Sequence, residues 1–343
     1  MLRLVVSRLV QLPLIVGAVL FITFLLAWVA PGSPLDRPEG RRPPAEVIAA
    51  MEQQYNLDSP WRFLAGYVDS ASGLRWARER FFGAAGSGKP AADAPAGVRA
   101  TREVFDLGPS LMYRDRRVSE IIGDALPVSV ILGLAAMVIA VILGVGAGVI
   151  GAVRPGSAAD VATLALALVG ISLPSFVVGS LLMLIFCVWL GWLPVAQWGP
   201  AGIVLPAVTL ALPFAAYIAR LTRIGMIEAL GSSGPGGGGG ADYIRTARAK
   251  GAGEARVVLR HALRNALLPV VSYLGPATAM AMTGSFVVER VFSVPGMGQH
   301  FVNAVLNKDL FLLLGVVLVY STMLIVFNLA VDVMYRWVDP RIA

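Results

Sequence analysis

The sequence predicts an all-α integral membrane protein with six transmembrane helices and a small extracytoplasmic domain between helices 1 and 2. The composition points there first: of 343 residues, 57% are hydrophobic and 14% charged, with a mean hydropathy of +0.74, against roughly 25% charged in soluble domains. Second, five stretches contain no Asp, Glu, Lys or Arg: Leu9–Leu35, Ala125–Val153, Val161–Ala219, Asn265–Val288 and Leu310–Val331. A bilayer core takes roughly 20 apolar residues in helix, and the third stretch is about twice that length. Third, the middle of that stretch, Gly191–Pro200, is rich in turn formers and carries Trp192 and Trp198, a loop with interfacial aromatics that divides it into two spans.

Taken in order, residues 1–30 are read as a short cytoplasmic N-terminus and the first span. Its apolar run is too long for a signal peptide, and Trp28 and Pro31 stand where a cleavage site wants small residues, so an uncleaved anchor is expected. Residues 31–118 form the extracytoplasmic domain, with helices expected at Ala45–Gln54 and Trp61–Phe82. Pro31–Arg117 holds thirteen basic and eleven acidic residues, and a loop of this length translocates largely regardless of charge. The membrane core is 119–343, with spans expected at about 125–152, 161–190, 202–222, 268–288 and 310–335, and a basic loop at about 225–267. Gly144, Gly146, Gly148 and Gly151 give the second span a small-residue packing face. Pro174, Pro206, Pro213, Pro269 and Pro276 kink later spans.

Orientation follows from basic residues in short loops. Arg3 and Arg8 precede the first span, and Arg220, Arg223, Arg245, Arg248, Lys250, Arg256, Arg260 and Arg264 fall between spans four and five, whereas the loop between spans three and four has no basic residue. Both termini and the basic loop are therefore expected in the cytoplasm. The net charge of +7 sits where topology places it, so contact with lipid, not nucleic acid, is expected.

Several chemistries find no support. His261 and His300 are the two histidines, read on opposite sides of the membrane as loop residues with local hydrogen bonds. They build no metal site at usual ligand spacing. The lone Cys187 allows no intramolecular disulfide. Gly83–Pro90 nearly spells a phosphate-binding loop, but Pro90 replaces the hydroxyl residue that would hold magnesium, and no strand precedes it. An intramembrane enzyme therefore lacks a credible nucleophile and base, while the prolines and glycines of the spans fit either ordinary helix packing or the shaping of a translocation path. An ATP-independent channel or secondary transporter is the alternative, but it would be expected to show mid-membrane charges or an internal repeat.

The informative stretch is Asp242–Pro269. It reads as a short helix, a break at Gly251 and Gly253, and a second basic amphipathic helix entering span five. It resembles the coupling loop, or EAA loop, of ABC-importer permeases. Where that family carries Glu-Ala-Ala six residues before a glycine, this chain has Arg245, Thr246 and Ala247 before Gly251. The later motif positions hold His261, Leu263 and Arg264. The wording Arg-Thr-Ala-Arg-Ala-Lys-Gly and Arg-His-Ala-Leu-Arg-Asn-Ala is similar to the variant in oligopeptide and dipeptide permeases of the B type. Three other stretches agree: Phe105-Asp106-Leu107-Gly108-Pro109-Ser110, Val288–Gly298, and Asn328–Asp332 with Asp339-Pro340-Arg341.

The resemblance implies a type I ABC-importer permease fold in a bacterial cytoplasmic membrane, working as a heterodimer with a second, homologous permease. Two ATPase subunits and an extracytoplasmic substrate-binding protein would complete the assembly. The chain itself would bind no cofactor, with ATP and magnesium on the partner ATPases, and would be no enzyme on its own. Tyr243, Arg245, Thr246, Ala247, Arg248, Ala249, Lys250, Gly251 and Arg256 would couple to an ATPase. Glu289, Phe292, Pro295, Gly296 and Gly298 would line or gate the outer, binding-protein side. Asp332 is expected to snorkel or pair with a neighbouring Arg. The Gly-rich tract 231–240 departs from the family pattern. As a flexible coil its reach is about 17 Å, so the sequence predicts that it cannot push and that force passes mainly through Arg256–Asn265 and span five.

Overall fold

A computed structural model describes residues 2–31, 45–81, 104–113, 115–231, 241–283 and 286–338. These are helical, with one isolated antiparallel bridge between Pro109 and Arg117 and no strand among the described residues. Five helices are long and apolar enough to cross a bilayer, and a sharply bent helix pair counted as one more span gives six. The chain divides into two compact units, one comprising Leu2–Val128 and Pro295–Met323, the other Ser129–Val294 and Leu324–Ala343.

The first unit contains α1 (Leu2–Val29), α2 (Ala45–Gln54), α3 (Pro60–Ala71), α4 (Leu74–Phe81) and the start of α5 (Val118–Val153). A single helix over Trp61–Phe82 was expected, but a left-handed turn at Gly73 (φ +75°) separates α3 from α4. Its core is aromatic: Phe63 stacks on Phe24 at 5.9 Å and meets Phe311 edge-on at 5.1 Å. Gly108 (φ +82°) lies against that Phe311 ring so closely that an added Cβ would sit 2.5 Å from it, which explains a glycine in the Phe105–Ser110 stretch. Asp309 ties this stretch to α15 (Leu310–Val338). Its buried carboxylate accepts from Ser110 Oγ, from Met112 N–H at 3.1 Å, and from Leu312 N–H at 3.1 Å as an N-cap. The unit also holds α14 (Met297–Leu306).

The second unit is built around α8 (Val204–Leu230). Two of the four glycines of span two, Gly144 and Gly148, meet it directly: a Cβ at either would lie 2.6 Å from Ala215 O or 2.7 Å from Ala219 O, respectively. Gly151 faces Asp160 and Arg223, whereas Gly146 has open space, so the small-residue face is narrower than its sequence suggests. The expected third span is not one straight helix. α6 (Ala158–Ser172) and α7 (Ser175–Met183) meet at 107°. Leu173 is extended (ψ 132°) ahead of Pro174, whose ring disfavours helix in the preceding residue. α7 runs on as a π-helical turn, Leu184–Trp189. The fifth candidate span, Leu268–Val291, contains α12 (Leu268–Thr283) and α13 (Phe286–Val291).

Candidate functional site

The basic loop forms a compact knob on the end of α8. That helix closes on Gly231 in a left-handed conformation (φ +74°), its N–H donating to Ile227 O at 3.0 Å. The chain is described again from Ala241, whose N–H donates to Ala229 O at 3.1 Å. The two ends of the glycine tract are thus adjacent in space. Residues 232–240 themselves lie outside the described residues, as does Gly83–Pro90.

Helix α9 (Asp242–Ala249) starts there. Ile244 and Ala247, spaced to share a face, are its buried residues, while Tyr243, Arg245, Thr246, Arg248 and Ala249 are exposed. Its charges suit the helix dipole, with Asp242 in the first turn and Arg248 in the last. The end is a Schellman turn: Gly251 (φ +76°) donates to Arg248 O at 2.9 Å and Ala252 to Ala247 O at 3.1 Å. Only a residue without Cβ takes that φ freely, which accounts for Gly251.

Beyond the turn the chain winds through α10 (Glu254–Arg256), a π-helical stretch Val257–Ala262, and α11 (Leu263–Ala266) into α12. Arg248 grips Glu254 across the turn with two bonds of 2.9 and 3.1 Å, and this guanidinium holds the Glu254 carboxyl below the usual carboxylate range. The pair is exposed, so its contribution to stability is small.

What holds the knob is apolar. Ile244 and Ala247 of α9 pack with Met226 and Ala229 of α8, Ala152 of α5, Val257, Ala262 and Ala266 in one buried cluster. The backbone approach is equally close at Gly225, where an added Cβ would lie 3.0 Å from Ala266 Cα. α9 is thus joined to α8 by a hydrogen bond and a shared core, a packed connection besides the glycine tract and the chain that runs on into α12.

Of the expected coupling residues, the structure gathers Tyr243 through Gly251 on this knob, with Arg256 exposed just after the turn. Ala247 differs from the rest in being buried in the seat. At the other candidate site, Glu289 and Phe292 are covered rather than open. Glu289 is 0% exposed and accepts a hydrogen bond from Ser129 Oγ at 2.8 Å. Phe292 is buried against Gly179, where a Cβ would lie 3.0 Å from its ring. Pro295, Gly296 and Gly298 belong to the other unit, with Gly296 at the N-cap of α14 and Gly298 buried in its first turn.

His300 also departs from expectation. It lies within α14, its ring edge-on to Tyr113 at 5.6 Å and its Nδ1 without a hydrogen-bond partner. Burial, and secondarily Arg116, push its pKa down. Sequence reasoning missed Asp160 and Arg223, a buried carboxylate and a half-buried guanidinium that form an ion pair in the second unit. The available signal was that one stands immediately before, and the other just after, the same long uncharged run.

The sequence is similar to those of known proteins. The family model of the binding-protein-dependent transport system inner membrane component matches residues 140–343. This chain belongs to that family. The permease is 38% identical over 347 residues to the "Oligopeptide transport system permease protein OppB" of Haemophilus influenzae, covering 100% of this chain and 99% of that one. The Escherichia coli K12 protein of the same name is 39% identical over 325 residues, covering 94% and 92%. The "Dipeptide transport system permease protein DppB" of Bacillus subtilis is 36% identical over 322 residues, covering 94% and 91%. The permease is accordingly a multi-pass inner-membrane subunit of an ABC importer that works with other transporter subunits.

Proposed function

We propose that the permease is the B-type half of a peptide importer, passing di- or oligopeptides delivered by an extracytoplasmic binding protein. A second, homologous permease completes the pathway, and two ATPase subunits drive it. The observation that carries this reading is the α9 knob: a short helix with an apolar seat on α8 and an outward face of Tyr243, Arg245, Arg248 and Lys250, with Arg256 beside it. A rigid helix with exposed cations suits docking into an acidic-edged groove of a partner, with charge setting approach and register. In this reading both termini and the knob lie in the cytoplasm, while 31–118 and the segment from Glu289 to Gly298 face the outside. Glu289 and Phe292, covered here, would then be uncovered as the outer side opens.

The chain supplies path and lever rather than chemistry. ATP and magnesium belong to the partner ATPases, and the permease binds no cofactor of its own. The test is to purify the tagged permease in mild detergent, identify the subunits that accompany it, and reconstitute them in liposomes. A second permease, ATPases, and ATP hydrolysis stimulated by a peptide-loaded binding protein are expected. A permease that purifies alone and transports without ATP would refute the reading.

A further inference from the structure

Arg223 and Asp160 join three elements of the second unit near the α9 seat. Arg223 Nε and Nη2 hold the two carboxylate oxygens at 2.6 and 2.8 Å, the bidentate fork that fixes orientation as well as distance. Asp160 is 2% exposed. It sits in the first turn of α6, where its own N–H reaches Ser157 Oγ at 3.3 Å and its carboxylate also accepts from Gly156 N–H at 2.9 Å. The α5–α6 turn is thereby tied to α8. Helix α5 closes the third side, since a Cβ at Gly151 would lie 3.0 Å from Asp160 Oδ1 and 3.4 Å from Arg223 Cδ.

Along α8, Arg223 stands one turn before Met226, which is buried in the cluster that seats α9. A displacement of α9 moves Met226 and Ala229, and with them Arg223. A buried, doubly bonded carboxylate cannot slip relative to its guanidinium without leaving a charge uncompensated. Motion of α8 is therefore delivered to α6, and through α6 to the bent α6–α7 pair.

We infer that Asp160 and Arg223 are positioning residues for energy coupling, the joint that passes movement of the α9 knob from α8 to α6. The inference rests on the proposed ATPase-driven function. Its test uses the complete transporter in liposomes with three variants: Asp160→Asn, Arg223→Lys, and the exchanged pair Asp160→Arg with Arg223→Asp. The readouts are assembly yield, basal ATP hydrolysis, and the stimulation given by a peptide-loaded binding protein.

A joint predicts that Asp160→Asn leaves basal hydrolysis within about twofold but cuts stimulation about tenfold, a coupling loss of about 1.4 kcal/mol. Arg223→Lys, which keeps charge but loses the fork, should fall between, and the exchanged pair should regain part of the stimulation. Variants that keep their stimulation, or that lose basal and stimulated rates in the same proportion as yield, would overturn the inference. Should Asp160→Asn fail to assemble, Arg223→Lys decides on the same ratio. If the wild-type complex itself shows no stimulation, it is the importer reading that fails, which keeps the two apart.

Discussion

Shortening the glycine tract is the sharpest test of how the knob is attached. Deleting Gly236–Gly240 leaves Ser232–Pro235 between Gly231 and Ala241. A linker acting as the mechanical connection would lose about 17 Å of reach, at roughly 3.3–3.6 Å per residue, and α9 would be dragged from its seat. The structure predicts otherwise. The ends are already adjacent, Ala241 N–H lying 3.1 Å from Ala229 O, and a four-residue bridge spanning up to about 13 Å rejoins them without strain. Roughly halving the loop from nine residues to four lowers its closure entropy by about 0.6 kcal/mol, a slight stabilisation. The expected result is an unchanged or marginally raised thermal midpoint, with peptide-stimulated ATP hydrolysis within twofold of wild type in reconstituted complex. A severalfold loss of stimulation at normal assembly yield would refute the idea that the seat on α8, and not the tract, holds the knob.

Three further outcomes follow from the packing. Ile244→Ala empties a fully buried position in the α9 seat, at a cost of about 2–4 kcal/mol. Amide exchange across 242–250 should accelerate while that of α8 does not, and unchanged exchange would contradict the seat. Gly148→Ala drives a methyl to within 2.7 Å of Ala219 O, whereas Gly146→Ala meets open space. The first should lower thermal stability by about 1–3 kcal/mol and the second leave it unaltered, so equal effects would reject this α5–α8 packing. His300 has a pKa depressed by burial, so the unfolded chain takes up the proton more readily than the folded one. Stability should therefore fall as pH drops below the usual imidazole value. Melting at pH 7.5 and 5.5 should show that loss in the wild type and a smaller one in His300→Asn, and identical pH dependence would remove the argument.

The helical membrane architecture was legible because hydrocarbon forbids charge and unpaired backbone over a fixed thickness, which leaves uncharged runs such as Ala125–Val153 within α5 and Leu310–Val331 within α15 in plain view. The bend between α6 and α7 was not, because a proline such as Pro174 is compatible with a gentle kink or a full break, and its sequence neighbours do not distinguish the two. The knob's helix, its glycine stop and its basic face were readable from local rules. The seat of α9 on α8 was not readable from the glycine tract, because coil statistics assume free ends, and here a hydrogen bond between Ala241 and Ala229 holds them together. Asp160 with Arg223, and Ser110 with Asp309, join residues far apart in sequence. Each member alone reads as an ordinary polar residue near a span boundary.

The eight residues of α9 are too few to hold a helix in water unaided, since nucleation costs more than so short a run of hydrogen bonds returns. The Schellman turn at one end, the Ala241 anchor at the other and the Ile244–Ala247 face keep it wound before anything docks. A protein that reads its outer surface meets a preorganised shape, so association involves no coupled folding of this element. For the acidic-edged partner proposed above, the encounter rate is then set by diffusion and the charges on Arg245, Arg248 and Lys250, and it should fall with ionic strength.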